Sequence, residues 1–122
     1  MAALWQSKEI RQALRQAAIL CEEEKDLTPL EKDIERALVE KVKRRGGYCL
    51  KWVCPGWAGV PDRIVLLPGG RVVFVELKRP KGGRLSPMQK MWAKKLIDLG
   101  FSHWVIWDTV DLLLFEECEL TK

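Results

Sequence analysis

Residues 59–78, GVPDRIVLLPGGRVVFVELK, restrict most tightly what this chain can fold into. Two runs rich in Val, Ile, Leu and Phe flank Pro68-Gly69-Gly70, a composition that suits a tight reversal between antiparallel strands. Alternation along the second run places Val73, Val75 and Leu77 on one face, and Val72, Phe74, Glu76 and Lys78 on the other. With the turn centred on Gly69-Gly70, Asp62 falls almost opposite Glu76; a one-residue slip would turn it away. Pro61 marks a strand start or an irregularity, because proline cannot donate to a central ladder. Arg63, one residue on, points to the face opposite Asp62.

The segments around this hairpin have the opposite periodicity. Leu4, Ile10, Leu14, Ala17, Ala18 and Cys21 recur at helical spacing and predict a helix over about 7–23. In TPLEKDIERALVEKVKRRGG, Thr28 suits an N-cap, Pro29 the first helical position and Glu31 the third. Ile34, Leu38 and Val42 form its apolar stripe, and Gly46-Gly47 ends it. YCLKWVC, 48–54, reads as a first strand broken by Pro55-Gly56. SPMQKMWAKKLIDLG reads as a helix capped by Ser86, with Met88, Trp92, Leu96 and Leu99 on its apolar face, and HWVIW, 103–107, as a buried strand. The tail TVDLLLFEECEL fits either a strand or a short helix. The order predicts an α/β fold, a small mixed β-sheet flanked by helices.

At 122 residues, nearly half of them hydrophobic, the chain suits one compact domain with a core of its own. No run of eighteen apolar residues is present, and the charged N-terminus MAALWQSKEIRQ does not read as a signal peptide. We therefore expect no membrane partner and a cytoplasmic location. Cys21, Cys49, Cys54 and Cys118 are irregularly spaced and His103 is the single histidine, which suits reduced thiols better than a zinc site. The net charge of +4 is modest, but KVKRR at 41–45, KRPKGGR at 78–84 and Lys90, Lys94 and Lys95 cluster around the hairpin. That distribution fits a polyanionic partner as well as it fits plain solubility.

Asp62, Glu76 and Lys78 admit two readings. They form a cross-strand ion network, or they form a site. Two carboxylates close together in a partly buried sheet repel unless a positive charge sits between them. A divalent cation meets that need, and Mg²⁺ requires only one or two carboxylates beside substrate oxygens and water. A lysine beside such a pair can orient or deprotonate a water, or steady charge developing on phosphorus. His103 begins an apolar strand and is a poor general base. Trp57, in the glycine-rich loop before Asp62, either lids the hairpin or stacks on distorted DNA.

GVPDRIVL followed by GGRVVFVELKRPKGGRLSPMQ resembles the virus-type replication-repair nuclease domain, VRR-NUC, a branch of the PD-(D/E)XK nucleases. The likeness runs from about Thr28 to Thr109. Gly59-Val60-Pro61-Asp62, the glycine hairpin, Phe74-Val75-Glu76-Leu77-Lys78, Gly83 and Ser86-Pro87 before Gln89 carry it together. It implies a restriction-endonuclease-like core, for which 28–122 is the nuclease domain; the helical extension 1–27 either covers that domain or mediates self-association, and it and the apolar tail are the candidate dimer surfaces. By the same resemblance, Asp62, Glu76 and the Leu77 carbonyl hold the metal, Mg²⁺ or Mn²⁺, with Lys78 as the catalytic lysine. A helix glutamate joins them, Glu31 or its rival Glu35 one turn on. Gln89 corresponds to the family's glutamine on the following helix, although capping chemistry alone also accounts for Glu31 and Gln89.

The activity so implied is metal-dependent cleavage of DNA to 5′-phosphate and 3′-hydroxyl ends, without a small-molecule cofactor. Branched substrates such as four-way junctions are implied, cut by a homodimer in phage replication, recombination or repair within a host cytoplasm. Arg79, Lys81 and Arg84 are placed to grip phosphates, with Lys90, Lys94 and Lys95 extending that surface and Trp57 beside it. The alternatives are an inactive nucleic-acid-binding module of the same fold and a plain interaction protein.

Overall fold

Helix α1, Glu31–Arg44, forms because Ile34, Leu38 and Val42 repeat every four residues and are all buried. Its first turn is acidic and its last turn basic, as the helix dipole favours. The computed structural model describes residues 31–121, together with Glu9, Gln12 and Ala13. The predicted helix over 7–23 otherwise lies outside the described residues, as do the Thr28-Pro29 start and most of the 1–27 extension.

Four strands follow the order β1-β2-β3-β4: β1 Tyr48–Lys51, β2 Arg63–Leu67, β3 Arg71–Leu77 and β4 Ser102–Ile106. The pairs β1–β2 and β2–β3 are antiparallel, and β3–β4 is parallel, so the sheet is mixed. Helix α2, Pro87–Asp98, makes the crossover between the parallel pair. After β4 the chain forms α3, Thr109–Phe115, capped by Asp108, and continues as a π-helical turn, Glu116–Leu120. The tail is therefore helical.

One face of the sheet carries Val65, Leu67, Val73, Val75, Leu77, Trp104 and Ile106 into a core with α1, α3 and the last turn. That burial is the main stabilising term, since each fully buried aliphatic side chain contributes roughly 1.5–3 kcal/mol. Trp104 packs edge-on against Phe115 and donates from Nε1 to the Glu119 carboxylate at 3.2 Å, while Arg71 holds Glu119 from the other side. Val110, Leu112, Phe115 and Leu120 are all buried within the domain, so the apolar tail belongs to its own core.

The opposite face carries Phe74, Glu76 and His103, and α2 packs over β4 there. Phe74 lies between Trp52 and Phe101, ring centroids 5.2 Å away on each side. The coverage is partial: Tyr48, Leu50 and Leu66 on β1 and β2 remain exposed. The apolar stripe predicted for α2 is correspondingly narrower, with Leu96 buried but Met88 and Leu99 exposed. The first strand is shorter than predicted, ending at Lys51, although Trp52 N still donates to Asp62 O at 2.9 Å. Trp104 is a core residue; Trp92 and Trp107 are only partly buried.

Candidate active site

The site starts from the register of the hairpin. Arg63 pairs with Val75 and Leu67 with Arg71, leaving Pro68-Gly69-Gly70 as a three-residue loop. Extending that register by one step sets Asp62 opposite Glu76, as the alternation predicted. Asp62 itself lies just outside β2, where Pro61 is fully buried and the backbone bends. Leu77 N donates to Asp62 Oδ2 at 2.9 Å, so the end of β3 fixes the aspartate beside the glutamate. Lys78 N donates to Ile106 O at 3.0 Å, which carries the parallel ladder one residue past β3. That bond keeps Lys78 on the face of Glu76, with Nζ 4.0 Å from Glu76 Oε1.

Glu76 is buried to 1% exposure at the centre of this arrangement, whereas Asp62 is open to solvent. Burial above all, then the hydrogen bond and negative charge of Asp62, push the Glu76 carboxyl up to about 8. The Lys78 charge opposes the rise and Glu31 adds to it. Glu76 therefore keeps its proton at neutral pH, the ordinary outcome for a carboxyl that meets a second one in a poorly solvated place.

Gln89 has two roles at once. Its backbone N donates to Ser86 Oγ at 3.1 Å and its Oε1 accepts from Ser86 N at 2.8 Å, completing the capping box of α2. With Oε1 occupied there, Nε2 faces Glu76 and donates to Oε1 at 3.0 Å. The cap and the contact with Glu76 are therefore compatible, and the first sets the orientation of the second.

Two glycines hold the loops in place. Gly59 has φ +88°, and a Cβ there would lie 2.6 Å from the Met88 backbone, so the Asp62 loop presses directly on the first turn of α2. At Gly83 a Cβ would come within 2.6 Å of the Arg79 carbonyl oxygen, so the basic loop folds tightly back beside Lys78. Arg79, Lys81, Arg84 and Lys90 are exposed around it. Lys94 is paired with Asp98 at 2.7 Å, an exposed i,i+4 contact of little energy.

Of the two helix glutamates, Glu31 is near enough to Glu76 to raise its carboxyl. Glu35 instead accepts from Arg63 Nε at 3.3 Å, and Arg63 also donates to Cys49 O. Arg63 thus faces α1, away from Glu76, as its alternation predicted. Burial pushes the Cys49 thiol up to about 11, and neither Cys49 nor Cys54 is in a disulfide. His103 is buried against the sheet and burial holds it down at about 4, a neutral core imidazole remote from acid–base work.

Among the described residues no three His, Cys, Asp or Glu side chains gather as a metal-binding group. What the site offers is a pair of carboxylates, a lysine and a glutamine at the end of a central strand, rimmed by cations. Sequence reasoning assigned Trp92 to the core and so missed its contact with Trp57, centroids 5.7 Å apart and nearly perpendicular. The signal was its i+3 spacing from Gln89 on one helix face.

A mixed sheet between helices, with Asp, Glu and Lys converging at the end of its hairpin, defines a PD-(D/E)XK-like nuclease fold. No protein-family model matches the chain. It is 43% identical over 82 residues to the "Putative nuclease p44" of Acyrthosiphon pisum secondary endosymbiont phage 1, covering 67% of this chain and 86% of that protein. It also superposes on a solved "VRR_NUC domain" with a TM-score of 0.68 and 25% identity, covering 73% of this chain and 96% of the other. The chain belongs to the VRR_NUC family of PD-(D/E)XK-like nucleases.

Proposed function

We propose that this protein is a metal-dependent endonuclease that hydrolyses phosphodiester bonds in DNA, with branched duplexes such as four-way junctions as its substrates. The observation that carries the reading is the Asp62–Glu76 pair, held in hydrogen-bond contact with Lys78 Nζ 4.0 Å away. Such a pair is costly to keep inside a domain unless something cationic joins it.

The donor set fits Mg²⁺ or Mn²⁺. Asp62 and Glu76 would supply hard oxygens and the Leu77 carbonyl a third, with Glu31, whose charge is felt at Glu76, as the candidate for a further carboxylate. The proton kept by Glu76 marks the place where a divalent charge would relieve its repulsion with Asp62. When bound there, such an ion supplies Lewis-acid polarisation of the scissile phosphate and acidifies water. Asp62 and Glu76 would hold that ion in place, and Gln89 keeps the Glu76 carboxylate from rotating. Lys78 orients the attacking water and offsets the charge that develops on the phosphoryl oxygens. Arg79, Lys81, Arg84 and Lys90 hold the flanking phosphates, contacts that position a duplex without reading its bases.

One chain carries one such site, so symmetric cutting of a junction calls for two copies. The exposed Tyr48, Leu50 and Leu66 on the open sheet face support a homodimer. A Mg²⁺ and Mn²⁺ titration on four-way and linear DNA tests the reading, comparing wild type with E76A and K78A. Cleavage by wild type that both variants lose supports it. Binding without cleavage favours an inactive binding module, and loss of both DNA binding and metal affinity defeats the nuclease reading.

A further inference from the structure

Trp57 is 59% exposed in the loop that leads to Asp62, an unusual place to leave the largest apolar side chain. The loop beneath it is well fixed. Trp57 N donates to Cys54 O at 3.2 Å, Gly59 lies against the Met88 backbone, and Pro61 is fully buried. The indole meets Trp92 edge to face, and Lys95 Nζ lies 5.5 Å from the centroid of the Trp92 ring. Trp92 Nε1 is buried with no hydrogen-bond partner among the described residues, so nothing polar locks the pair together.

We propose that Trp57, backed by Trp92 and Lys95, is a stacking subsite for an unpaired nucleobase beside the cleaved phosphate. The proposal rests on the DNA-nuclease reading above and adds the substrate feature that the site selects. Gln89, which touches Glu76, and Trp92 share one face of α2 and are separated by about 4.5 Å along the helix axis. Trp92, which meets Trp57, is therefore the helix neighbour of the glutamine that touches Glu76. Exposed Met88 and Met91 border it on the same helix. Paired bases inside a duplex present no open π-face to such a ring, whereas an unstacked base does, whatever its sequence. The basic loop suffices to hold phosphates; an exposed indole on a rigid support adds nothing to that task. Its chemistry matches a base freed from its stack, as at a branch point or a bulge.

The test uses E76Q, in which cleavage is expected to be lost, and two duplexes of equal length, one fully paired and one carrying two unpaired nucleotides with 2-aminopurine among them. E76Q should bind the second about tenfold more tightly and quench its fluorescence by stacking. E76Q/W57A should bring that ratio close to one and abolish the quenching, and E76Q/W57F should retain most of both. R84A in the same background should weaken both duplexes together, since a phosphate contact does not sense pairing. An unchanged ratio in E76Q/W57A, with the quenching intact, overturns the subsite but leaves the nuclease reading standing. Failure of E76Q to bind either duplex, with no cleavage by wild type, overturns both.

Discussion

Glu76 is a carboxyl buried as completely as any core valine, and its partners explain how the fold tolerates it. Asp62 and Gln89 hydrogen-bond to it and Lys78 stands nearby. A glutamine can keep both bonds, accepting from Gln89 and donating to Asp62, without ever ionising. E76Q is therefore expected to unfold at or above the wild-type temperature at pH 8 without metal, while cleavage falls at least a hundredfold; thermal melts and a nicking assay report the two. The helix glutamates separate in a similar way. E31Q is expected to weaken divalent-ion binding, read by calorimetry, with little change in stability. E35Q should lower stability by about 1 kcal/mol, because Arg63 is left half-buried with a weakened partner, and should leave ion affinity unchanged.

Elements act here as mounts. Helix α2 begins where it does because Ser86 caps it and Pro87 suits its first turn. That same cap occupies Gln89 Oε1 and so directs Nε2 to Glu76. S86A is expected to cost about 1 kcal/mol in a urea melt, as lost caps usually do. It should also slow cleavage several-fold more than a control substitution of matched stability remote from the site, because the freed amide can turn away from Glu76. The Asp62 loop is tied to the same helix through Gly59. Both features were legible before the structure, as a glycine in GVPD and a serine three residues before a glutamine. Their joint purpose was not, because spacing along the chain cannot show that the two loops touch.

For the whole molecule, two buried titratable groups set opposite pH limits on the metal-free protein. The Glu76 carboxyl is raised from 4.5 to about 8, so the native state binds more protons than the unfolded chain between those values and loses stability as pH rises. His103 is lowered from 6.5 to about 4, so the unfolded chain binds more protons there and stability is lost as pH falls. The two slopes oppose each other between about 4.5 and 6.5. Melting temperature should therefore be nearly flat across that window and decline from pH 6.5 to 8. Saturating Mg²⁺ should remove the alkaline decline, since ion binding displaces the Glu76 proton; a scan of melting temperature against pH with and without the ion checks both.

Local chemistry determined much of this protein by itself. Period-two alternation around Pro68-Gly69-Gly70 fixed the hairpin and the faces of β3, whereas the approach of Asp62 to Glu76 also needed the register that pairs Arg63 with Val75, since a one-residue slip would turn the aspartate away. The stripe of Ile34, Leu38 and Val42 and the Ser86 cap fixed two helices for equally local reasons. Tertiary packing decided the rest. The tail fitted strand or helix until Trp104 and Arg71 supplied partners for Glu119. The apolar face assigned to α2 was cut down because the helix covers only part of the sheet. Trp92 changed from a core residue into the support for Trp57. Glu31 and Glu35, one turn apart and chemically identical, parted company only when Arg63 claimed one of them. Each of these outcomes depends on which surfaces meet in space, and a contact between distant segments leaves no trace in the residues on either side of it.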